Sequence, residues 1–438
     1  MPRRIALVAV LTLLWIAPAS AQELGTRDRL PNGLTVLVVE RPALPIVIAR
    51  AWVRAGSVLD ASEKAGLANL TAEMLTRGTR NRSAKEIDEA IEFVGGSLGT
   101  DAARDGATVS VSILRKDLAL GLDLLADVLL SPSFPEDELK RKLREVLASI
   151  RSSEEEPETV AGRAFREILF PGHSYGRPVE GMPETLAKIG RDDLVDFHSR
   201  HYRPQEMILS VVGDVTRDEI LKEIAKRFGA WPQGSGPRVS IPPPALAPPG
   251  QKLIHRELSQ ATVILGQRAI GRDHPDFYPL LVANYILGGG STSRLYTRIR
   301  EELGLVYYIG SHLATGRFVN FFEVTLQTKS ESVRQAIAEA KQAVRVLRDR
   351  GPTADELALA KAYLVGSFPL RMDTNAKLAD LLLAWEVNGL GLDYPTRFRR
   401  LIEQVTVDDV KRVAAAHLLP DALATVVVGH LAQAGLQP

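Results

Sequence analysis

Residues 192–213 read DDLVDFHSRHYRPQEMILSVVG, and residues 408–429 read DDVKRVAAAHLLPDALATVVVG. The two segments share seven identical residues at one constant offset, without a gap. In each copy a helix-length stretch is followed by a proline turn and then by an apolar run that ends in glycine. This pattern predicts a helix, a turn and a buried strand. Its recurrence indicates an internal duplication, so we expect two similar lobes, each closed by one copy.

A proline-rich segment separates the two copies. Residues 233–250 read QGSGPRVSIPPPALAPPG, with six prolines and three glycines. Such a composition cannot continue a helix or a central strand, and it is typical of a semi-rigid, extended connector. We therefore place the lobes at residues 22–232 and 251–438. Two lobes suit a chain of 438 residues, because single domains usually span about 100–200 residues.

Within the lobes, apolar periodicity alternates between the strand and the helix pattern. Strands are predicted near residues 34–38, 46–53 and 107–113, and helices at 65–75 and 117–130, after Pro135 and after the capping box at Thr353. Strand pairs followed by helix pairs predict an α+β fold. Each lobe is then a mainly antiparallel sheet with helices on one face.

The N-terminus has the layout of a secretory signal peptide. Arg3 and Arg4 precede an apolar run from Ile5 to Ile16, and small residues follow just before Gln22. This layout predicts a signal peptide at residues 1–21 and a mature protein in the periplasm. The alternative is a short membrane anchor, but the run is shorter than the roughly 20 residues that span a bilayer.

Charge and cysteine content exclude several functions. Lys and Arg total 54 and Asp and Glu total 53, whereas a nucleic-acid-binding protein needs an excess of cations. The chain has no cysteine, so disulfides, thiolate nucleophiles and cysteine-bound zinc are excluded. Any metal site must use His, Asp or Glu.

Six stretches follow one another along the chain: LPNGLTVLVVE (30–40), VRAGS (53–57), GLANLTAEMLTRGT (66–79), FPGHSYGRPVEG (170–181), YRPQEMILSVVGDV (202–215) and SRLYTRIREELGLVYY (293–308). In order and spacing they resemble the M16 family of two-lobed zinc peptidases, which includes pitrilysin, insulin-degrading enzyme and the mitochondrial processing peptidase. The resemblance implies that the two homologous lobes form a clam-shell around peptide substrates.

The family's zinc motif is missing. Its members carry His-x-x-Glu-His on a helix, where two histidines one turn apart bind zinc and the glutamate activates water. Alignment places Asn69, Ala72 and Glu73 at these positions, Ser149 at the third ligand and Lys142 seven residues before it. None of the eight histidines lies in the first 172 residues. We therefore expect no zinc bound by this chain; the alternative is a novel site built from Glu73 and nearby carboxylates.

A second family feature is retained. The resemblance implies that Arg300 and Tyr307, seven residues apart in REELGLVYY, hold the substrate backbone and help stabilise its oxyanion. A guanidinium and a phenol supply the donors for that task. Tyr308 is the alternative if the strand register shifts by one. The alternative to a functional pair is a surface arginine and a core tyrosine.

Three functions follow from these observations. We expect a non-catalytic subunit that pairs with a zinc-bearing homologue carrying an intact His-x-x-Glu-His, binds peptide and lends Arg300 and Tyr307 to the partner's site. The second is a stand-alone peptide-binding or chaperone-like scaffold. The third is a self-sufficient metallopeptidase with altered ligands. By resemblance, the region around residues 95–113 could offer an edge strand to bound peptide.

Overall fold

The structure, a computed structural model, describes residues 24–234, 240–245 and 248–437. The predicted signal peptide and parts of the proline-rich segment lie outside the described residues. The strands are β1 (Thr26–Arg29), β2 (Thr35–Glu40), β3 (Ile46–Val53), β4 (Ser97–Ala102), β5 (Ala107–Leu114), β6 (Met207–Gly213), β7 (Gln251–His255), β8 (Gln260–Arg268), β9 (Val306–Thr315), β10 (Asn320–Lys329) and β11 (Ala424–Gly429).

Helices occupy much of the remaining chain. They are α1 (Leu67–Met74), α2 (Ala84–Phe93), α3 (Leu118–Leu130), α4 (Glu136–Ser153), α5 (Pro157–Leu169), α6 (Pro183–Leu186), α7 (Arg191–His201), α8 (Arg217–Phe228), α9 (Phe277–Gly288), α10 (Val333–Arg350), α11 (Ala354–Gly366), α12 (Asn375–Val387), α13 (Tyr394–Glu403) and α14 (Val407–His417). A π-helix spans Tyr296–Glu302. Within the described residues, no helix is long and apolar enough to cross a membrane.

The two sheets share one topology, except that the first carries the additional edge strand β1. The first has the order β1-β2-β6-β3-β5-β4, and the second has the order β7-β11-β8-β10-β9. In each sheet the closing strand, β6 or β11, pairs in parallel with one neighbour and antiparallel with the other, and all remaining pairs are antiparallel. The predicted α+β fold of two lobes with mainly antiparallel sheets is therefore confirmed.

The repeated segments form the predicted helix, turn and strand. Helix α7 leads to β6, and α14 leads to β11, with a short 3-10 turn at Pro204 or Pro420 between them. The shared aspartates Asp193 and Asp409 lie in the first turns, where their carboxylates accept the backbone N–H groups of Gly190 and Thr406. Both strands are buried, because each occupies an inner position of its sheet.

Each lobe packs one of its helices on the sheet of the other lobe. Helix α5 of the first lobe packs on β8 and β11, and helix α12 of the second lobe packs on β3 and β6. Ser210 of β6 donates to the carbonyl oxygen of Ala379 in α12 at 3.1 Å. Each sheet thus carries its own helices on one face, as predicted, and a helix from the other lobe on the opposite face. This reciprocal packing joins the lobes through shared apolar cores.

Each strand and helix predicted from local pattern is present in the structure. The strand at 46–53 and the capping box of α11 appear as predicted. Helix α1 is shorter than predicted, because it begins only after Gly66, which has a φ of +100°. In the first lobe, strands β1 and β4 were missed. Their solvent-facing, polar sequences TRDR and SLGTDA lack the apolar alternation by which strands are recognised.

A histidine in the first repeat makes stability depend on pH. Burial lowers the pKa of His198 to about 4 from 6.5. Because the fold disfavours the charged ring, the unfolded chain binds this proton more readily than the folded chain. The stability that the neutral ring contributes is therefore fully present above about pH 6.5 and is lost as the pH falls toward 4. The free energy of unfolding should fall by up to about 3 kcal/mol over this range from this group.

Denaturant unfolding at several pH values tests this expectation. His198→Gln keeps a donor for the carbonyl oxygen of Leu129, which lies 3.0 Å from the ring, and should flatten the pH dependence. Some slope should persist, because burial also lowers the pKa of His201 to about 4. An unchanged pH profile in the variant would contradict the assignment.

Candidate functional site

Helix α1 carries three of the four positions at which the sequence places a lost zinc site. Its start is set by Asp60, whose two carboxylate oxygens accept the N–H groups of Gly66 and Ala68, both at 2.9 Å. These bonds satisfy N–H groups that the first turn of a helix leaves without partners. Asn69, Ala72 and Glu73 follow along the helix, which packs against α4.

The position of the general base has become part of the core. Ala72 is 0% exposed and belongs to the apolar cluster of the first lobe. A methyl group can neither accept a proton nor hydrogen-bond water. Water activation at this position is therefore excluded on chemical grounds and by burial.

The two ligand positions on α1 bond to one another instead. The Asn69 amide donates to Glu73 Oε1 at 3.0 Å. Lys142 of α4 places its ammonium nitrogen 3.3 Å from Glu73 Oε2 and 2.8 Å from Glu145. By donating to Glu145, Lys142 holds the pKa of that carboxyl below its usual range. A positive side chain thus neutralises the one carboxylate that α1 offers.

These residues do not fit a zinc ion. A catalytic zinc usually needs three protein ligands of the histidine and carboxylate type, and here a glutamate, an amide and a hydroxyl replace them. Ser149 is exposed on α4. No group of three metal-ligating side chains occurs around Glu73 in the part of the chain that the structure describes. The alternative of a carboxylate-built site at Glu73 therefore has no geometric support.

One His-Asp-His group does come together elsewhere, and sequence reasoning missed it. His274 and Asp276 at the start of α9 meet His417 at the end of α14, with ligand atoms within 4.8 Å of one another. Both carboxylate oxygens of Asp276 are already bonded, at 2.7 Å to Arg412 and at 2.8 Å to His417. These bonds lower the pKa of Asp276. We interpret the group as an ion-pair network that ties two helices together.

Arg300 lies on the π-helix of the second lobe. Its Nε donates to the carbonyl oxygen of Tyr307 at 2.9 Å, another guanidinium nitrogen donates to the Tyr296 hydroxyl, and the group lies 4.9 Å from the centre of the Tyr296 ring. These contacts hold the side chain at the beginning of β9. Such π-helical turns are rare and often occur at functional sites.

Tyr307 is placed by an irregularity in β9. Gln327 pairs with Tyr308, but the next residue of β10, Thr328, pairs with Val306, so Tyr307 is the extra residue of a bulge. Bulges redirect side chains, and Tyr307 is 74% exposed. Tyr308, also exposed, is held in regular register. The bond from Arg300 goes to the backbone of Tyr307, so the choice of Tyr307 over Tyr308 stays a prediction.

The two sets of residues lie in different environments. Helix α1 packs on β4, β5, α4 and α7, whereas β9 packs on β10, α9 and the π-helix. Among the described residues, no hydrogen bond or ion pair connects Asn69, Glu73 or Lys142 with Arg300 or Tyr307. The fold and these positions define a class: a two-lobed zinc-peptidase fold in which the metal ligands have been replaced.

Comparisons with known proteins agree with this class. The chain matches the model of the insulinase family, peptidase family M16, over residues 35–182 and the model described as peptidase M16 inactive domain over residues 188–364. An uncharacterized zinc protease of Mycobacterium leprae is 31% identical over 403 residues, which cover 89% of this chain and 88% of that protein. This chain belongs to the M16 peptidase family, as a homologue without the family's zinc signature.

Solved structures show the same architecture. A peptidase M16 inactive domain from Pseudomonas fluorescens superposes with a TM-score of 0.87 at 29% identity, covering 92% of this chain and 97% of that chain. A protease from Helicobacter pylori superposes with a TM-score of 0.84 at 21% identity over 93% and 99% of the two chains. The second similarity establishes the fold only.

Proposed function

We propose that this chain is the non-catalytic subunit of a heteromeric M16 peptidase. It pairs with a zinc-bearing homologue, binds the peptide substrate and presents Arg300 and Tyr307 to the partner's active site. The partner supplies the zinc and the general base. The signal-peptide pattern of residues 1–21 supports the periplasm as the site of action.

One contrast carries this proposal. The zinc positions of the first lobe are occupied by a closed Asn69–Glu73–Lys142 network, whereas Arg300 and Tyr307 of the second lobe remain together at the surface. A guanidinium and a phenol can stabilise a developing oxyanion, but they cannot activate water without a base and a metal. In peptide hydrolysis, Arg300 and Tyr307 can therefore act only beside a site that supplies the base and the metal.

Free sheet edges support peptide binding. Strand β4 ends the first sheet and β9 ends the second, and the two strands occupy equivalent places in the duplicated topology. A peptide can add to such an edge through backbone hydrogen bonds. Because an edge serves a peptide with or without a protease partner, this observation also supports the second candidate function, a stand-alone peptide-binding scaffold.

Co-purification followed by zinc analysis tests the pairing. The full-length chain is recovered from periplasmic extract, and zinc is measured in the complex and in each separated chain. We expect about one zinc per heterodimer, bound to the partner, and chelator-sensitive peptide cleavage by the complex only. Recovery without a homologous partner would favour the scaffold. Stoichiometric zinc and chelator-sensitive cleavage by this chain alone would overturn both candidates.

A further inference from the structure

A cavity lies within the second lobe. It measures about 390 Å³ and is lined mainly by α9, α11, α12, α13 and residues 311–313 of β9. Arg300 and Tyr307 are not among its lining residues. The cavity is therefore separate from the proposed oxyanion-stabilising pair, and an argument about its ligand does not depend on pairing with a zinc-bearing chain.

Aromatic side chains are prominent among its lining residues. Tyr285 stacks on Tyr363 with ring centres 4.6 Å apart, and Phe368 stacks on Phe398 at 4.4 Å. Trp385, which is 2% exposed, closes one side. A wall of this composition accommodates a flat apolar group, since ring–ring contacts add to the free energy gained by burying apolar area.

Two positive charges border the cavity, and neither forms an ion pair with any residue that the structure describes. Arg272 lies 5.3 Å from the ring centre of Phe277, and Arg371 lies 5.9 Å from that of Phe368. The Nε of Arg272 is buried and has no hydrogen-bond partner. No lining residue carries a carboxylate. Burial raises the pKa of Tyr394 and both guanidinium groups oppose the rise, so both charges lie near this hydroxyl.

An unpaired acceptor lies buried in the wall of the same cavity. Asn284 is only 8% exposed and lines the wall. Its amide nitrogen donates to the carbonyl oxygen of Ser311 at 3.4 Å, but its Oδ1 has no partner. Buried polar atoms are usually paired, and each exception calls for an explanation. If the amide turns its oxygen toward the cavity, a ligand N–H group would supply the missing bond.

We propose that this cavity binds the C-terminal aromatic residue of a peptide. Such a residue has a group for each feature of the lining. Its ring packs on the aromatic side chains, its carboxylate pairs with Arg272 and Arg371, and its backbone N–H donates to Asn284. Bidentate contacts between guanidinium and carboxylate favour the free C-terminus over an internal residue.

Binding of N-acetyl-L-phenylalanine tests the proposal. Calorimetry on the full chain, with Trp385 fluorescence as a second readout, should give saturable binding with a Kd of about 1 mM or tighter. N-acetyl-L-phenylalaninamide, which lacks the carboxylate, should bind at least about tenfold more weakly. Arg272→Gln combined with Arg371→Gln should weaken binding of the acid by a similar factor. Arg256→Gln, an exposed position beyond β7, is the matched control and should change nothing.

Asn284→Leu separates the N–H contact from general packing. The variant should weaken N-acetyl-L-phenylalanine by about tenfold but leave binding of hydrocinnamate, which has the ring and carboxylate without the N–H, unchanged. Equal binding of acid and amide by the natural chain, or no saturable binding up to about 10 mM, would overturn the proposal even if the variants fail to fold. An equal loss for both ligands in Asn284→Leu would refute the role of the amide.

Discussion

Arg300→Ala should lower kcat/KM for peptide cleavage by the heteromeric complex by about 100-fold, the usual cost of removing one oxyanion donor. The guanidinium is held at the start of β9 by Tyr296 and by the carbonyl oxygen of Tyr307, so its donors are oriented before substrate binds. Tyr307→Phe removes one neutral donor and should cost about tenfold. Steady-state kinetics on the purified complex measure both effects.

Arg298→Ala is the matched control. Arg298 lies on the same π-helix but pairs at the surface with Glu302 and Glu339, so its loss should change cleavage by less than about twofold. Zinc content and complex formation should stay the same in every variant. Full activity in Arg300→Ala would remove the assigned role, and a loss confined to Tyr308→Phe would transfer the hydroxyl's role from Tyr307 to Tyr308.

Phe165→Ala should lower the free energy of unfolding by about 3–5 kcal/mol, as expected for a buried phenylalanine. Phe165 is 1% exposed. It belongs to α5, the helix of the first lobe that packs on the second sheet. Its ring meets Phe321 edge-on with ring centres 5.8 Å apart. The substitution therefore opens a cavity where the two lobes are joined. Denaturant unfolding followed by circular dichroism measures the loss.

Phe93→Ala provides the control, because Phe93 is 92% exposed at the end of α2 and should change stability by less than about 0.5 kcal/mol. A second variant approaches the same contact from the sheet. A Cβ at Gly266 would lie 2.4 Å from the Phe165 ring and 2.4 Å from the carbonyl oxygen of Phe322, so Gly266→Ala should also destabilise. A Phe165→Ala protein as stable as the natural chain would show that α5 does not hold the lobes together.

Much of this architecture is readable in the sequence, because its signals are local. The repeated segments at 192–213 and 408–429 predict the duplication, and the structure places them as equivalent helix–strand units in two sheets of one topology. The absence of histidine from the first 172 residues excludes the family's zinc site without coordinates. Ligand chemistry depends on residue type, and residue type is what a sequence records.

Contacts between distant segments were decided only by tertiary packing. Periodicity shows that α5 and α12 have apolar faces, but not that each covers the other lobe's sheet. The ion pair between Glu73 and Lys142 and the meeting of Asn284 with Arg272 beside one aromatic cavity likewise join separate elements. Such contacts depend on how several helices and strands pack at once. The propensity of a short segment does not depend on that arrangement, so it cannot predict these contacts.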